Sequence, residues 1–473
     1  MKSRFVLGAV TVLMSCVQTA YAADPTEQQF RALYKELVET NTTLSAGSCT
    51  LAAERIAARL KAAGFPDSDL HPFADPAHPK EGGLVAILPG RDPKAKAILL
   101  LAHIDVVEAK REDWVRDPFT LIEEDGKFFA RGALDDKAQA AIWADSLVRF
   151  KQEGYKPRHT LKMALTCGEE TAGAFNGAEW LTKNRRELID AGYALNEGAG
   201  GELNAAGKRV SMTVQAGEKV AQNYRLEVTN RGGHSSRPVK DNAIYHLAGA
   251  LKKIEEFEFP IQLADGSRGY LKGMSKIQAA AGHKDIADAM LAVVKDPGDK
   301  KAVALVSSSD SSWAAMLHTT CVATMLDAGH ATNALPQRAR ANVNCRIFPG
   351  VTQETVRQAL ANAINDPAVK VETLEIRGEN SAPPELTRAI LEPVEKQTAK
   401  MWPGVPVMPI LQSGATDGQF LNAAGIPTYG ISGIFLTPDL GNIHGLNEYI
   451  GVQSLLEGRT FLHELVKVYA EQI

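Results

Sequence analysis

Three short apolar runs end, one after another, in histidine or glutamate. Residues 97–103 close on His103, 160–166 lead into Glu169-Glu170, and a run ending near Leu195 leads to Glu197. A further run, 83–88, precedes them across a Pro-Gly turn. Runs this short and this apolar suit strands buried on both faces. Between them lie helical stretches: after Asp136, the residues Ala141, Ala144, Leu147 and Val148 keep an apolar face. Strands alternating with helices predict an α/β fold with a mostly parallel central sheet covered on both sides. Such sheets bind ligands at the carboxyl ends of their strands, where these polar residues stand.

The texture changes after Lys219. Residues 224–228 alternate like a half-exposed strand and run into Arg231-Gly232-Gly233-His234-Ser235-Ser236. A long helix-prone stretch follows, and alternation returns at 321–326 and 339–347. This pattern reads as an inserted α+β unit with an antiparallel sheet. Ser381-Ala382-Pro383-Pro384 marks the return, and an amphipathic helix after Val452 closes the chain. At 473 residues the chain is too long for one ordinary core. The expected organisation is a catalytic domain split into 23–218 and 379–473, with a second domain, 219–378, inserted.

Composition removes some function classes. A net charge of −4, from 52 basic and 56 acidic residues, provides no field that would favour nucleic acid or an anionic membrane. Lys2 and Arg4 precede an apolar run, 5–14, and Ala20-Tyr21-Ala22 follows. That is the layout of a secretory signal peptide, residues 1–22, cut near Ala22 and too short for an anchor. A lipoprotein signal ending at Cys16 is the rival reading, and Met14 fits it poorly. Export puts the protein in the periplasm or outside the cell. Cys49, Cys167, Cys321 and Cys345 contain no Cys-x-x-Cys pair, which argues against a zinc ribbon. Cys321 and Cys345 either pair across neighbouring strands or stay as buried thiols.

The residues able to do chemistry are ambiguous singly. His103 and Asp105 point the same way on a strand, and a carboxylate beside an imidazole fixes its tautomer as a metal ligand; the pair is equally compatible with a structural role. Asp135-Asp136 is either a helix cap or a source of a carboxylate shared by two metals. Glu169-Glu170 is either a solvated pair or one ligand and one group that reaches water. Glu197 repeats the pattern, and His444 lies in the loop Gly441-Asn442-Ile443-His444-Gly445. Together they form an imidazole and carboxylate set that suits Zn, Mn or Co better than Ca or Mg. The excess of carboxylates suits two metals.

Motif by motif, the chain resembles the M20 metallopeptidases, in particular the branch of carboxypeptidase S and secreted N-acyl-amino-acid hydrolases. The resemblance is carried by Ala102-His103-Ile104-Asp105, Arg131-Gly132-Ala133-Leu134-Asp135-Asp136-Lys137, Gly168-Glu169-Glu170 and Asn196-Glu197-Gly198. It continues through Gly233-His234-Ser235-Ser236, Asn333-Ala334-Leu335-Pro336 and Asn442-Ile443-His444. It implies a zinc-exopeptidase-like catalytic domain with an inserted lid or dimerisation domain, and two Zn2+ ions, with Co2+ or Mn2+ as substitutes. His103 and Glu197 would bind one ion and Glu170 and His444 the other, with Asp135 bridging. Asp105 would stand behind His103, and Glu169 would be the general base. A cis peptide would join Asp135 to Asp136. His234 would steady the oxyanion, reaching across from a partner in dimeric relatives. Arg346, Asn333, Ser413 and Gly414 would hold the substrate; on generic grounds Arg346 reads equally as a surface residue and Asn333 as a turn.

Asn196 and Cys167-Gly168 stand where relatives often carry acids, and the stretch of roughly 243–320 is longer than in minimal members, which leaves the usual dimer contact open. The resemblance implies cleavage of an amide next to a free carboxylate in a peptide, carboxypeptidase or dipeptidase fashion, or in an N-acyl amino acid. A non-catalytic binding protein is the rival class, and Glu169 argues against it. A serine hydrolase using Ser235 or Ser413 lacks the Gly-x-Ser-x-Gly elbow.

Overall fold

A computed structural model describes residues 25–171, 175–375 and 380–472. The signal segment with Cys16 and the 378/379 boundary therefore lie outside the described residues.

The α/β fold is the one expected. Among the described residues, a ten-stranded sheet runs in the order Leu70–Phe73, Gly83–Leu88, Leu161–Thr166, Ile98–His103, Tyr193–Asn196, Thr428–Gly430, Arg209–Glu218, Gly201–Leu203 and Phe435–Leu436, with Val407–Gln412 beside Arg209–Glu218. The four strands from Leu161–Thr166 to Thr428–Gly430 are parallel. Antiparallel pairs flank them on both sides, so the sheet as a whole is mixed. The reason is connection length. A short link such as the one from Phe73 to Gly83 turns the chain straight back, whereas a parallel return needs a crossover such as the helix Lys137–Gln152.

Alternation along the central strand builds both covering layers. Ile98, Leu100 and Ala102 enter the larger core, which includes Tyr34, Trp143 and Phe461. Leu99 and Leu101 enter a second core with Leu181 and Phe420. A period of two thus splits one wholly buried strand between two helix layers.

His463, on the helix Val452–Ala470, is a useful probe of this core. Its ring is fully buried and stacks on Phe150 at 4.5 Å between centroids. Burial, with the charges of Arg149, Lys467 and Arg459, pushes its pKa down to about 2. The unfolded chain therefore takes up a proton below about pH 6.5 that the folded ring refuses, and stability falls as pH drops through that window. In His463→Phe, unfolding free energy plotted against pH between about 4 and 5.5 should be shallower by about 1.4 kcal/mol per pH unit. An unchanged slope in denaturant titrations would show that the ring titrates in the fold.

The second sheet, Thr320–Ala328, Arg338–Ile347, Val220–Thr229 and Lys370–Thr373, is antiparallel throughout. Tyr224, Leu226, Val343 and Ile347 face its helices, Ala243–Glu256 and Gln353–Ile364. Arg340, Asn342, Asn344 and Arg346 alternate onto the other face. Cys321 lies opposite Cys345, and the two form a disulfide, which closes the free-thiol alternative. Cys49 and Cys167 form another.

The helices Asp265–Ala280, Lys284–Lys295 and Lys300–Ser309 do not pack on that second sheet. They form a core of their own against Met408 and Ile410 of the large sheet. Glycines permit the contact: a Cβ at Gly269 or Gly273 would collide with Pro409 or Met408.

Candidate metal centre

His103 is the last residue of the wholly buried strand Ile98–His103. Its Nε2 lies 3.1 Å from Asp135 Oδ1 and 3.6 Å from Glu197 Oε1. Its Nδ1 lies 3.1 Å from the Asp105 carbonyl oxygen and 3.6 Å from Asp105 Oδ1. Across the cluster, His444 Nε2 lies 3.1 Å from Asp135 Oδ2 and 2.8 Å from Glu170 Oε2. Asp135 thus presents one oxygen to each imidazole. Ligand atoms of His103, Glu169 and Glu197, and of His103, Asp135 and Glu170, fall within 4.8 Å of one another.

Local backbone explains how these groups converge. Gly168 turns the chain out of the strand Leu161–Thr166 with φ +92°, and a Cβ there would strike the Phe175 carbonyl. The Asp105 carboxylate then accepts the Glu169 and Glu170 N–H groups at 3.3 and 3.0 Å. One residue therefore orients His103 and the glutamate pair together. The Asp135-Asp136 peptide is cis. His444 adopts φ +61° in its loop.

Residues that the sequence reading missed hold this arrangement. Glu448 is fully buried and accepts from Leu134 N at 2.9 Å, Asp135 N at 3.1 Å, Gly132 N at 3.0 Å and Arg131 Nη1 at 2.7 Å. Arg131 Nη2 donates onward to the Gly445 carbonyl at 2.9 Å. The pair therefore fastens the Asp135 loop to the His444 loop. Asp417 accepts from Thr166 Oγ1 and Asn176 Nδ2, each at 2.7 Å, steadying the base of the glutamate loop. Asn196 donates to Thr416 Oγ1 at 3.0 Å, a bond an amide can make. The only sequence signal for Glu448 was its nearness to His444.

The electrostatics call for cations. Burial raises the pKa values of Glu169, Glu170 and Glu197, and neighbouring carboxylate charges push the same way. Hydrogen bonds to Asp135 and Glu170 raise His444 to about 10. Among the described residues, no Lys or Arg forms an ion pair with Asp135, Glu169, Glu170 or Glu197. Acids crowded this closely repel unless neutralised, and an imidazole and carboxylate set of this kind fits divalent transition metals.

The remaining expected residues fall in three places. Arg346 is half-buried, and its charge acts on Glu169. Ser413 lines a chamber beside Asp135 and Glu197, and Gly414 follows it in an open position. His234 and Asn333 meet on a separate exposed ribbon, Gly233–His234 against Ala334–Leu335. There the Ser235 N–H donates to the Asn333 carbonyl at 3.1 Å. The hydrogen bonds of the His234 ring are made with Ser236.

The chain is similar to known proteins in sequence and in fold. The sequence model of peptidase family M20/M25/M40 matches residues 99–468. The human N-fatty-acyl-amino acid synthase/hydrolase PM20D1 is 28% identical over 385 residues, covering 80% of this chain and 75% of that protein. Among solved structures, the M20 family metallo-carboxypeptidase Sso-CP2 from Sulfolobus solfataricus superposes with a TM-score of 0.69 at 18% identity, over 94% of this chain and 99% of that one. The Bacillus subtilis YXEP protein, described as a dinuclear metal binding peptidase, gives 0.59 at 12% identity, over 95% and 99%. These structures share the fold.

Proposed function

The chain belongs to peptidase family M20/M25/M40, and from that premise we propose that it is an exported two-metal hydrolase cutting an amide bond next to a free carboxylate, as carboxypeptidases and dipeptidases do. The observation that carries the reading is Asp135, with one oxygen toward His103 and the other toward His444. In this assignment His103 and Glu197 would hold one metal, Glu170 and His444 would hold the other, and Asp135 would serve both. Zn2+ is the expected ion, with Co2+ or Mn2+ as substitutes. When bound, such ions supply Lewis acidity that polarises a carbonyl and acidifies water.

The protein's own groups do the rest. Among the described residues, no group donates a hydrogen bond to the Glu169 carboxylate, which leaves it free to take a proton from the attacking water and pass it to the leaving nitrogen. Asp105 keeps the His103 ring and the glutamate loop in register. Arg346 suits the substrate carboxylate, which a guanidinium binds in a bidentate way, and Ser413-Gly414 lies along the approach. The insertion, residues 219–378, serves as lid and dimerisation unit. His234, on its exposed ribbon, is the oxyanion donor offered with Asn333 to a second copy. The exposed Val322, Met325 and Leu326 on the edge strand Thr320–Ala328 support that pairing. Export is supported by the two disulfides, which persist in oxidising compartments. Among the described residues no helix is long and apolar enough to cross a membrane.

The second reading, an N-acyl-amino-acid amidohydrolase, is favoured by the chamber beside the centre, walled in part by Leu203, Val210, Met316, Ile434 and Leu436. Purified protein should carry about two metal ions per chain and lose amide hydrolysis on chelation, regaining it with Zn2+, Co2+ or Mn2+. Full activity in metal-free protein would overturn the assignment.

A further inference from the structure

Residues 40–49 touch three of the loops that bear the proposed ligands. Lys137, fully buried just after the cis Asp135-Asp136 peptide, donates from Nζ to the Thr40 carbonyl at 2.8 Å. Glu108, shortly after Asp105, accepts from Ser45 N at 2.9 Å and from Ser45 Oγ at 2.8 Å. Cys49 is joined by a disulfide to Cys167, which directly precedes Gly168 and the glutamate pair. The segment is itself braced. Ser48 N donates to the Asn41 carbonyl at 2.9 Å, and Gly47 N to the Thr43 carbonyl at 2.8 Å. Cys49 then opens the helix Cys49–Ala62, whose Ala52, Ile56 and Leu60 lie in the larger core.

The disulfide spans a gap. A cavity of about 210 Å³ lies between the segment and the glutamate loop, lined by Thr42, Thr43, Asp105 and Gly168 as well as by the two cysteines. Close packing, which holds most interior loops in place, is missing across that gap, and the disulfide is the bond that crosses it. From the other side, Gly177 N donates to the Cys167 carbonyl at 2.7 Å and Asn176 Nδ2 to the Gly168 carbonyl at 3.2 Å. Cys167 is thus gripped on both sides, and any displacement of it passes through Gly168 to Glu169 and Glu170.

We infer that residues 40–49 are a clasp for the metal centre and that Cys49 and Cys167 are positioning residues: their bond sets where Glu170 stands relative to His444, and so the affinity for the ion assigned to those two ligands. The inference rests on the two-metal reading. The alternative is an ordinary stabilising bond. It closes a stretch of 118 residues, and it would raise stability by restricting the unfolded chain without touching ligand geometry in the fold. The Cys321–Cys345 bond serves as the reference for that case, because it joins two strands of the second sheet, which carries none of the proposed metal ligands.

The test titrates the full-length protein with Co2+, follows visible absorption, and reads each dissociation constant by competition with a chelator. In Cys49→Ala/Cys167→Ala, affinity for one ion should fall about 10- to 100-fold, the range for lost support behind a ligand, while the other ion binds within about threefold of wild type. Cys321→Ala/Cys345→Ala should lose thermal stability and keep both affinities. Circular dichroism reports whether each variant is folded. Glu108→Ala, on the exposed tie, decides the matter if the Cys49 and Cys167 variant does not fold: loss of the Ser45 bonds should weaken the same ion by about threefold, the net worth of a hydrogen bond. Two ions bound as tightly by the folded variants as by wild type overturn the clasp and leave the hydrolase reading intact. Equal weakening of both ions, or the same loss in Cys321→Ala/Cys345→Ala, makes the bond a stabilising one and also overturns the clasp. A wild-type protein that binds no second ion overturns the two-metal reading, and the clasp with it.

Discussion

Glu169→Gln should lower kcat by about a thousandfold, or about 4 kcal/mol of barrier, while metal content stays at the wild-type level. The substitution keeps the side chain's shape and removes its ability to accept a proton. Glu170 is tied to His444 at 2.8 Å, whereas among the described residues Glu169 is held through its backbone N–H by Asp105 and no group donates to its carboxylate. The glutamate with the unengaged carboxylate is therefore the one able to move a proton. Burial raises its pKa, the His103 charge opposes that, and adjacent carboxylates raise it further. Metal analysis and steady-state kinetics on the same preparation decide the matter. A rate within tenfold of wild type with both metals retained would assign the proton transfer to another group.

Glu448→Ala should be the most damaging substitution that leaves every proposed ligand in place. It leaves the Arg131 guanidinium buried without its carboxylate, and the N–H groups of Gly132, Leu134 and Asp135 lose their acceptor. Removing one partner of a buried ion pair costs about 3–5 kcal/mol, and a chain of 473 residues loses roughly 1–2 °C of melting temperature per kcal/mol. A fall of roughly 5 °C is expected in thermal denaturation, together with weaker metal retention, because the Asp135 and His444 loops are no longer fastened. Removing Arg131 as well should not rescue the variant, since the backbone N–H groups still lack an acceptor. Wild-type stability and metal content in Glu448→Ala would mean that the loops hold their own conformation.

How much of this was legible depended on distance along the chain. The runs ending at His103, before Glu169 and before Glu197 showed both their strand character and their place at the strand ends. That reading needed only local periodicity and the rule that a buried parallel strand is apolar throughout. The mixed flanks of the sheet were less visible, because a strand's direction is set by the length of its connection rather than by its composition. Cys321 and Cys345 lie on neighbouring alternating strands, and so their pairing was at least posed. Cys49 and Cys167, 118 residues apart, carried no such hint.

The sequence by itself determined which side chains are available as metal ligands and the order in which the strands deliver them, since each of those facts lives within a few residues. Only the tertiary structure decided what holds them still and what lies beside them. Glu448 meets Arg131 across 317 residues, and the helices Asp265–Ala280 and Lys284–Lys295 left their neighbouring sheet to form a core with Met408 and Ile410. Contacts of that range follow from which surfaces find complementary shape and which buried charges find partners. No local pattern of residues encodes that choice.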